Sequence, residues 1–330
     1  MSLIRFTTRF ATFLIAACAI STVAKAENGI QNAPVWPTKP IKLLVGFPGG
    51  STPDMSARTL AEPLSKLLGQ PVVVENRPGA SGNIAADLVA KAADDHTFGV
   101  VINGNLTSAK MLNPKLAFDP STDFSFISLL TTAPLILVTN ADKPAGAEFF
   151  AAAKAAGNTW NYGSVGAGTV AHLGIEWLKA RAPGLDAVHV PYAGNPQVVT
   201  AMIGGQVQMA LIPPGVAMPQ VRAGKLKAVG VTGGRSPLVP ELPSLADAGI
   251  TGYNLEVWTA LVGPANLPKA VQDKLSAAVV RILREEETRQ RLFNQGWRAV
   301  GTSPEGLRIR VKDEGAQLGA IIRSRGITVE

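Results

Sequence analysis

The chain has 330 residues, 46% apolar and 17% charged, with a formal net charge of +7 and one cysteine. That length exceeds one simple core and points to two lobes, while a single cysteine excludes a disulfide-stapled fold. The basic balance is weak support for nucleic acid, because the densest cluster, Arg281–Arg291, is interleaved with Glu285, Glu286 and Glu287 as on a solvated helix face.

Residues 1–26 read as a leader and not as fold. Arg5 and Arg9 form a basic start, Phe10 to Ile20 an apolar stretch, and Ala24-Lys25-Ala26 a small-x-small cleavage site, so export to the periplasm is expected with Glu27 as the new N-terminus. The apolar stretch falls short of the roughly 20 residues of a spanning helix. Ile15-Ala16-Ala17-Cys18 also fits a lipoprotein box, which leaves a tether through Cys18 as the alternative. The leader carries Arg5, Arg9, Lys25 and no acid, so its removal lowers the net charge to about +4. No later run has membrane-spanning length.

The remaining chain alternates strand, turn and helix. The pattern predicts a strand over Ile41–Gly46, a helix over Asp54–Leu68, a strand over Val72–Glu75 and a helix from about Ser81. A strand over Phe98–Ile102 leads to a polar turn, Asn103–Ser108, and strands follow over Ile127–Leu130 and Leu135–Val138. Next come a helix over Glu148–Ala156, a strand over Trp160–Ser164, a helix over Val170–Arg181, a strand over Ala187–Val190 and a helix over Pro196–Ile203. Val207–Leu211, a proline-started helix ending near Gly224, and Leu226–Val231 close that series. The tail predicts a strand at Trp258–Val262 and helices over Pro268–Leu283, Glu285–Asn294 and Pro304–Arg323. Alternation of this kind implies parallel-rich sheets flanked by helices, with crossing strands joining two lobes.

Several strand-to-helix turns are candidates for ligand contact. Phe47–Asp54 holds adjacent glycines, with Gly50, Ser51 and Asp54 able to meet an anion at a helix start; as a plain connection it needs only Asp54 as N-cap. No Gly-Lys-Ser/Thr follows, so it is not a nucleotide P-loop. Gly166-Ala167-Gly168-Thr169-Val170-Ala171 formally matches a relaxed dinucleotide fingerprint with Asp186 downstream, and equally offers the N–H groups of Gly168 and Thr169 to a carboxylate. Tyr192 and Gly194 lie in a third turn, with a structural tyrosine as the competing reading; Asn105 and Thr107 lie in the polar turn after Ile102. His172 falls in the first turn of its helix, where bracing the glycine turn fits better than general-base work.

Catalytic groupings are poor. There is no Gly-x-Ser-x-Gly elbow, and His96, His172 and His189 form no metal-ligand spacing, so neither metal nor cofactor is expected. Turns from both halves at strand C-termini point to one cleft that closes on a solute. An exported NAD-dependent oxidoreductase is the rival reading.

The chain resembles the exported substrate-binding proteins of tripartite tricarboxylate transporters, the Bug family. The resemblance is carried by Trp36–Lys42, Phe47–Asp54, Ala57-Arg58, Leu68–Ala80 with its Val-Glu-Asn-Arg-Pro-Gly-Ala run, Gly82-Asn83-Ile84, Tyr162-Gly163-Ser164, His189–Gly194, Gly204–Val207 and Arg222–Ala228. It implies a two-lobe Venus-flytrap of the class II periplasmic-binding type, a monomer that binds a small carboxylate for membrane transporter subunits or a sensor, with no nucleic acid partner. It places the ligand at Phe47–Asp54, Gly166–Thr169 with His172 behind, and Tyr192–Gly194. It also implies that lobe 1 takes residues 27–128 and 252–330, and lobe 2 residues 129–251.

This sequence departs from the family pattern in four places. Gly49-Gly50-Ser51 shifts the glycine pair by one; Gln208 stands where aspartate is common; Asp94-Asp95-His96 replaces Pro-Asp-Gly; and Ile212-Pro213-Pro214 stands where many members have Asp-Asn. A site lacking that carboxylate offers less to an amino group, so the expected ligand has no ammonium, as in a di- or aromatic carboxylate.

Overall fold

A computed structural model describes residues 36–328; the expected leader, with Cys18, lies outside the described residues. The first segment comprises β1 (Ile41–Val45), α1 (Thr52–Leu68), β2 (Val72–Asn76), α2 (Asn83–Ala90), β3 (Thr97–Ile102), the short turns α3 (Asn103–Leu106) and α4 (Ala109–Leu112), and β4 (Phe124–Pro134). The middle segment holds β5 (Ile136–Asn140), α5 (Ala147–Ala156), β6 (Asn161–Ser164), α6 (Val170–Arg181), β7 (Val188–Pro191), α7 (Asn195–Ile203), β8 (Met209–Ile212), α8 (Pro214–Arg222) and β9 (Leu226–Val231). The return segment adds β10 (Glu256–Pro264), α9 (Lys269–Arg284), α10 (Glu286–Asn294), β11 (Arg298–Ala299) and α11 (Pro304–Arg325).

The strands form two sheets, each the centre of one α/β lobe. One has the order β11-β4-β10-β3-β1-β2, the other β7-β6-β8-β5-β9. Each carries its own apolar cluster, around Phe118, Phe126, Trp258 and Leu307 in the first and Ile136, Val198, Met202 and Ile212 in the second. The chain crosses between sheets at Leu135, the residue between β4 and β5, and returns between Val231 and Glu256. The strand that contains Leu129 therefore stays in the first sheet for five residues more.

The sheets are mixed and not parallel-rich. β2, β1 and β3 are parallel, as are β7, β6 and β8, but β10 lies antiparallel between β3 and β4, and β5 antiparallel between β8 and β9. Parallel neighbours need a crossover unit, usually a helix. β10 and β5 instead enter from the other lobe, so the crossing sets their direction.

Helix boundaries follow local chemistry. α9 buries Val271, Leu275, Ala278, Val279 and Ile282 at three- and four-residue spacing, and this stripe packs on β4 and α1. The polar turn expected at Asn103–Ser108 is helical in its first half. Asn105 Oδ1 accepts the Ile102 N–H at 3.2 Å, and the Thr107 hydroxyl donates to the Asn103 carbonyl at 2.7 Å, so side chains complete a turn too short to hold itself. No helix among the described residues is long and apolar enough to cross a membrane.

Candidate functional site

The turn after β1 is built around Asp54, though not as expected. The N-cap of α1 is Ser51, in extended backbone, and Asp54 is the third helical residue, its carboxylate reaching back to the Gly50 N–H at 2.9 Å. The same carboxylate receives Arg58 Nε at 3.0 Å and Asn76 Nδ2 at 2.9 Å, and Asn76 also donates to the Phe47 carbonyl at 2.9 Å. Burial pushes the Asp54 pKa up, but the bonds from Arg58, Asn76 and Gly50 outweigh it and hold the group below the ordinary value. The Ser51 N–H donates to the Pro48 carbonyl at 3.2 Å, while Ser51 Oγ is buried without a hydrogen-bond partner among the described residues. Asp54 therefore shapes the turn and does not face the cleft.

The Gly166–Thr169 turn is braced from behind. The Gly168 N–H donates to His172 Nδ1 at 3.1 Å, and the Thr169 N–H and hydroxyl both reach the Gly166 carbonyl, at 3.3 and 2.8 Å. These two N–H groups, expected to meet a carboxylate, are thus engaged within the turn. His172 stacks on His189 with ring centroids 4.1 Å apart, and Tyr162 stacks on His189 at 5.0 Å. Burial pulls His172 down to about 4 and, with the neighbouring His172, His189 down to about 3, so both rings are neutral at neutral pH and Nδ1 of His172 is free to accept. Ser164 Oγ lies 2.7 Å from His189 Nε2, a pair that sequence spacing did not reveal. Ser164 is 1% exposed and accepts the Gly166 N–H at 3.1 Å, so this pair ties down the turn.

Four helix N-termini meet at one narrow interlobe cavity of about 30 Å³. Thr52 and Pro53 come from the start of α1, Val170 and Ala171 from α6, Asn195 from α7, and Pro213 precedes α8. Asn195 Nδ2 reaches Thr52 Oγ1 at 3.4 Å across the lobes. Neither Ser51 nor Thr169 caps its own helix with its side chain, so the first-turn N–H groups of α1 and α6 lack that partner. The other walls are apolar, including Phe47, Ile102, Leu135, Leu211 and Val257, and among the described residues no charged side chain lines the cavity. Aligned helix starts with neutral walls favour an anion without supplying a counter-charge.

Of the residues singled out in the sequence, Phe47, Ser51 and Thr169 line this cavity, while Gly50, Asp54, Gly166, Gly168 and His172 hold its turns from behind. Asn105 borders an adjoining crevice of about 150 Å³ with Gly168 and Thr169, but its amide is engaged by Ile102, Ser81 and Asn83. Tyr192 packs on the core of the second lobe, which favours the structural reading. Gly194 lies against Pro48, where a Cβ would stand 3.3 Å from the proline ring. Of the other lining residues, Thr52 lies within the Phe47–Asp54 turn, Val170 within the Gly166–Ala171 turn and Pro213 within the Ile212–Pro214 stretch noted in the sequence, while Asn195 was missed; the available signal there was proline just inside a helix start, at Pro196.

Two other readings lose ground. In the turn matching a dinucleotide fingerprint, a Cβ on Gly166 would stand 2.2 Å from Ser81 Oγ and one on Gly168 2.7 Å from Leu112, so the glycines admit protein and not a pyrophosphate. A larger groove of about 720 Å³ lies beside the crossing segments, but of the cations on its wall Arg298 and Arg310 pair with Glu256, at 3.7 and 3.1 Å, and Arg235 with Asp247 at 3.9 Å.

Residues 56–327 match the family described as tripartite tricarboxylate transporter family receptor. Among solved structures, an R. palustris protein, Rpa4515, with adipate is 30% identical (TM-score 0.85, covering 89% of this chain and 99% of that one). MatC from Rhodopseudomonas palustris with bound malate is 32% identical (TM-score 0.81, covering 87% and 100%). The periplasmic binding protein BugD is 27% identical (TM-score 0.83, covering 89% and 100%).

Proposed function

The chain belongs to the tripartite tricarboxylate transporter receptor family, and from that premise we propose that it is a periplasmic receptor for a small carboxylate without an ammonium group. The observation that carries this reading is the meeting of four helix N-termini on a cavity that no charged side chain lines among the described residues. A carboxylate gains from the helix starts. An ammonium would be desolvated there with no acid to receive it. Pro213 and Pro214 add to the exclusion, since neither has a side-chain oxygen to accept from an ammonium. The apolar walls at Phe47, Ile102, Leu135 and Val257 suit a hydrocarbon group, and at about 30 Å³, roughly the share of one water, the cavity must widen to take the whole acid.

The adipate and malate found with two relatives support the class and leave the member open. We read the chain as a receptor and not an enzyme, exported as a soluble monomer that delivers its acid to membrane transporter subunits or reports it to a sensor.

Thermal shift and calorimetry on protein freed of co-purified solute test the reading. Unaminated di- and aromatic carboxylates are expected to raise Tm, by the equivalent of about 2.7 kcal/mol at a hundredfold excess over Kd. Aspartate and glutamate are expected to leave it unchanged. Tight binding of the amino acids alone would sink the proposal, and NAD-linked turnover of a hydroxy acid would favour the oxidoreductase.

A further inference from the structure

The Val74–Ala80 run, the most specific stretch of the sequence, lines no part of the cavity at the helix starts. It leads into a turn where Ala80 and Ser81 adopt φ of +48° and +57°, in the left-handed region that side-chain-bearing residues rarely occupy. Such strain persists where surrounding contacts over-determine it. Here it aims Ser81 across the lobes, and its hydroxyl donates to the Ala167 carbonyl at 3.0 Å. The Ser81 carbonyl is in turn held by Asn105 Nδ2 at 3.0 Å. Beside it, the buried Ser108 hydroxyl donates to the Gly168 carbonyl at 2.6 Å.

We propose that Ser81 and Ser108 are a two-point latch between the lobes, which grips the carbonyls of Ala167 and Gly168 and so holds the start of α6 over the cleft in the closed form. The contact needs glycine on both sides: a Cβ on Gly166 would meet Ser81 Oγ, and one on Gly104 would stand 3.2 Å from the Gly168 carbonyl. The latch also opens without leaving Ser108 unsatisfied, because the Gly104 carbonyl of its own turn lies 3.3 Å from the same hydroxyl. A hydroxyl with an acceptor in each state suits a closure near balance, which a solute can then shift. Ser81 and Ser108 are positioning residues, acting on the solute through the turn they hold. The effect on affinity rests on the proposed carboxylate site; the latch itself does not.

The test is made in the full chain with Cys18→Ser, where Lys66→Cys in α1 and Thr200→Cys in α7, both exposed, take spin labels on opposite lobes. Interlobe distances are measured by pulsed electron spin resonance without any solute. The parent is expected to populate a short distance; Ser108→Ala and Ser81→Ala should each move the ratio toward a longer one by about three- to tenfold, the range of one neutral hydrogen bond. Ser81→Gly should open the lobes likewise with Tm at or above that of the parent, since it relieves the strained φ. Distance distributions unchanged in all three variants, or a parent with only the long distance, overturn the latch. Adipate is the probe for the second arm, with its Kd expected to rise by the same factor. If the distances shift but neither adipate nor other carboxylates bind the parent, the latch stands and the carboxylate reading fails.

Discussion

Asp54 is an acid in the turn nearest the cleft whose oxygens are taken up by the protein, through Gly50, Arg58 and Asn76. Its sequence position suggested a ligand contact or a cap, and both follow from the same local fact, that it opens a helix. What the sequence could not convey is that Asn76, 22 residues away, closes on it. Asp54→Ala leaves those donors facing a void, and the expected loss is about 3 kcal/mol, read as a lower denaturation midpoint at unchanged slope. A loss below about 1 kcal/mol would show that the turn holds itself. Asp54→Asn, which keeps one acceptor, should fall between. The pH dependence has a definite sign: the folded pKa is held below the unfolded 3.8, so the stabilisation is present above that value and lost as pH falls through the folded pKa.

The start of α6 depends on a neutral His172. Because burial lowers its pKa from 6.5 to about 4, the unfolded chain takes up a proton in this interval that the folded chain refuses, and stability falls as pH drops from 6.5 toward 4. The integrated effect is on the order of 3 kcal/mol for this residue. His172→Gln retains an acceptor for the Gly168 N–H and removes the titration, so its melting temperature should decline less steeply over that interval; His189, with its own lowered pKa, leaves some slope. A slope identical to the parent's would place the titration elsewhere. At this scale much was legible. α6 spans the predicted Val170–Arg181, and prolines announced the starts of α7 and α8, because proline at a first turn is a local preference. The Ser164–His189 pair and the Ser108–Gly168 contact, 25 and 60 residues apart, were not legible, since they depend on how strands and lobes come together.

Two lobes were readable from chain length and from alternating elements, but the direction of β5 and β10 was not. Alternation predicts parallel neighbours; the crossing places one antiparallel strand inside each sheet, a long-range choice that no window of sequence records. The crossing has its own fastening. Thr232 is 2% exposed; its hydroxyl accepts the Leu135 N–H at 2.9 Å and donates to the Leu255 carbonyl at 2.6 Å, while its N–H donates to the Leu135 carbonyl at 2.8 Å. One side chain thus joins the outgoing segment to the returning one where the chain crosses between the sheets. Thr232→Val keeps the shape and leaves one N–H and one carbonyl unpaired in the interior, for an expected cost of about 2–4 kcal/mol. Thr232→Ser keeps the hydroxyl and loses a methyl, and should stay within about 1.5 kcal/mol of the parent. Chemical denaturation separates the two, and equal midpoints for Val and Ser would mean that the hydroxyl does not fasten the crossing. If it does, the valine variant should also release the proposed carboxylate faster than the serine variant, because a loosened crossing widens the range of open states from which the closed one must form.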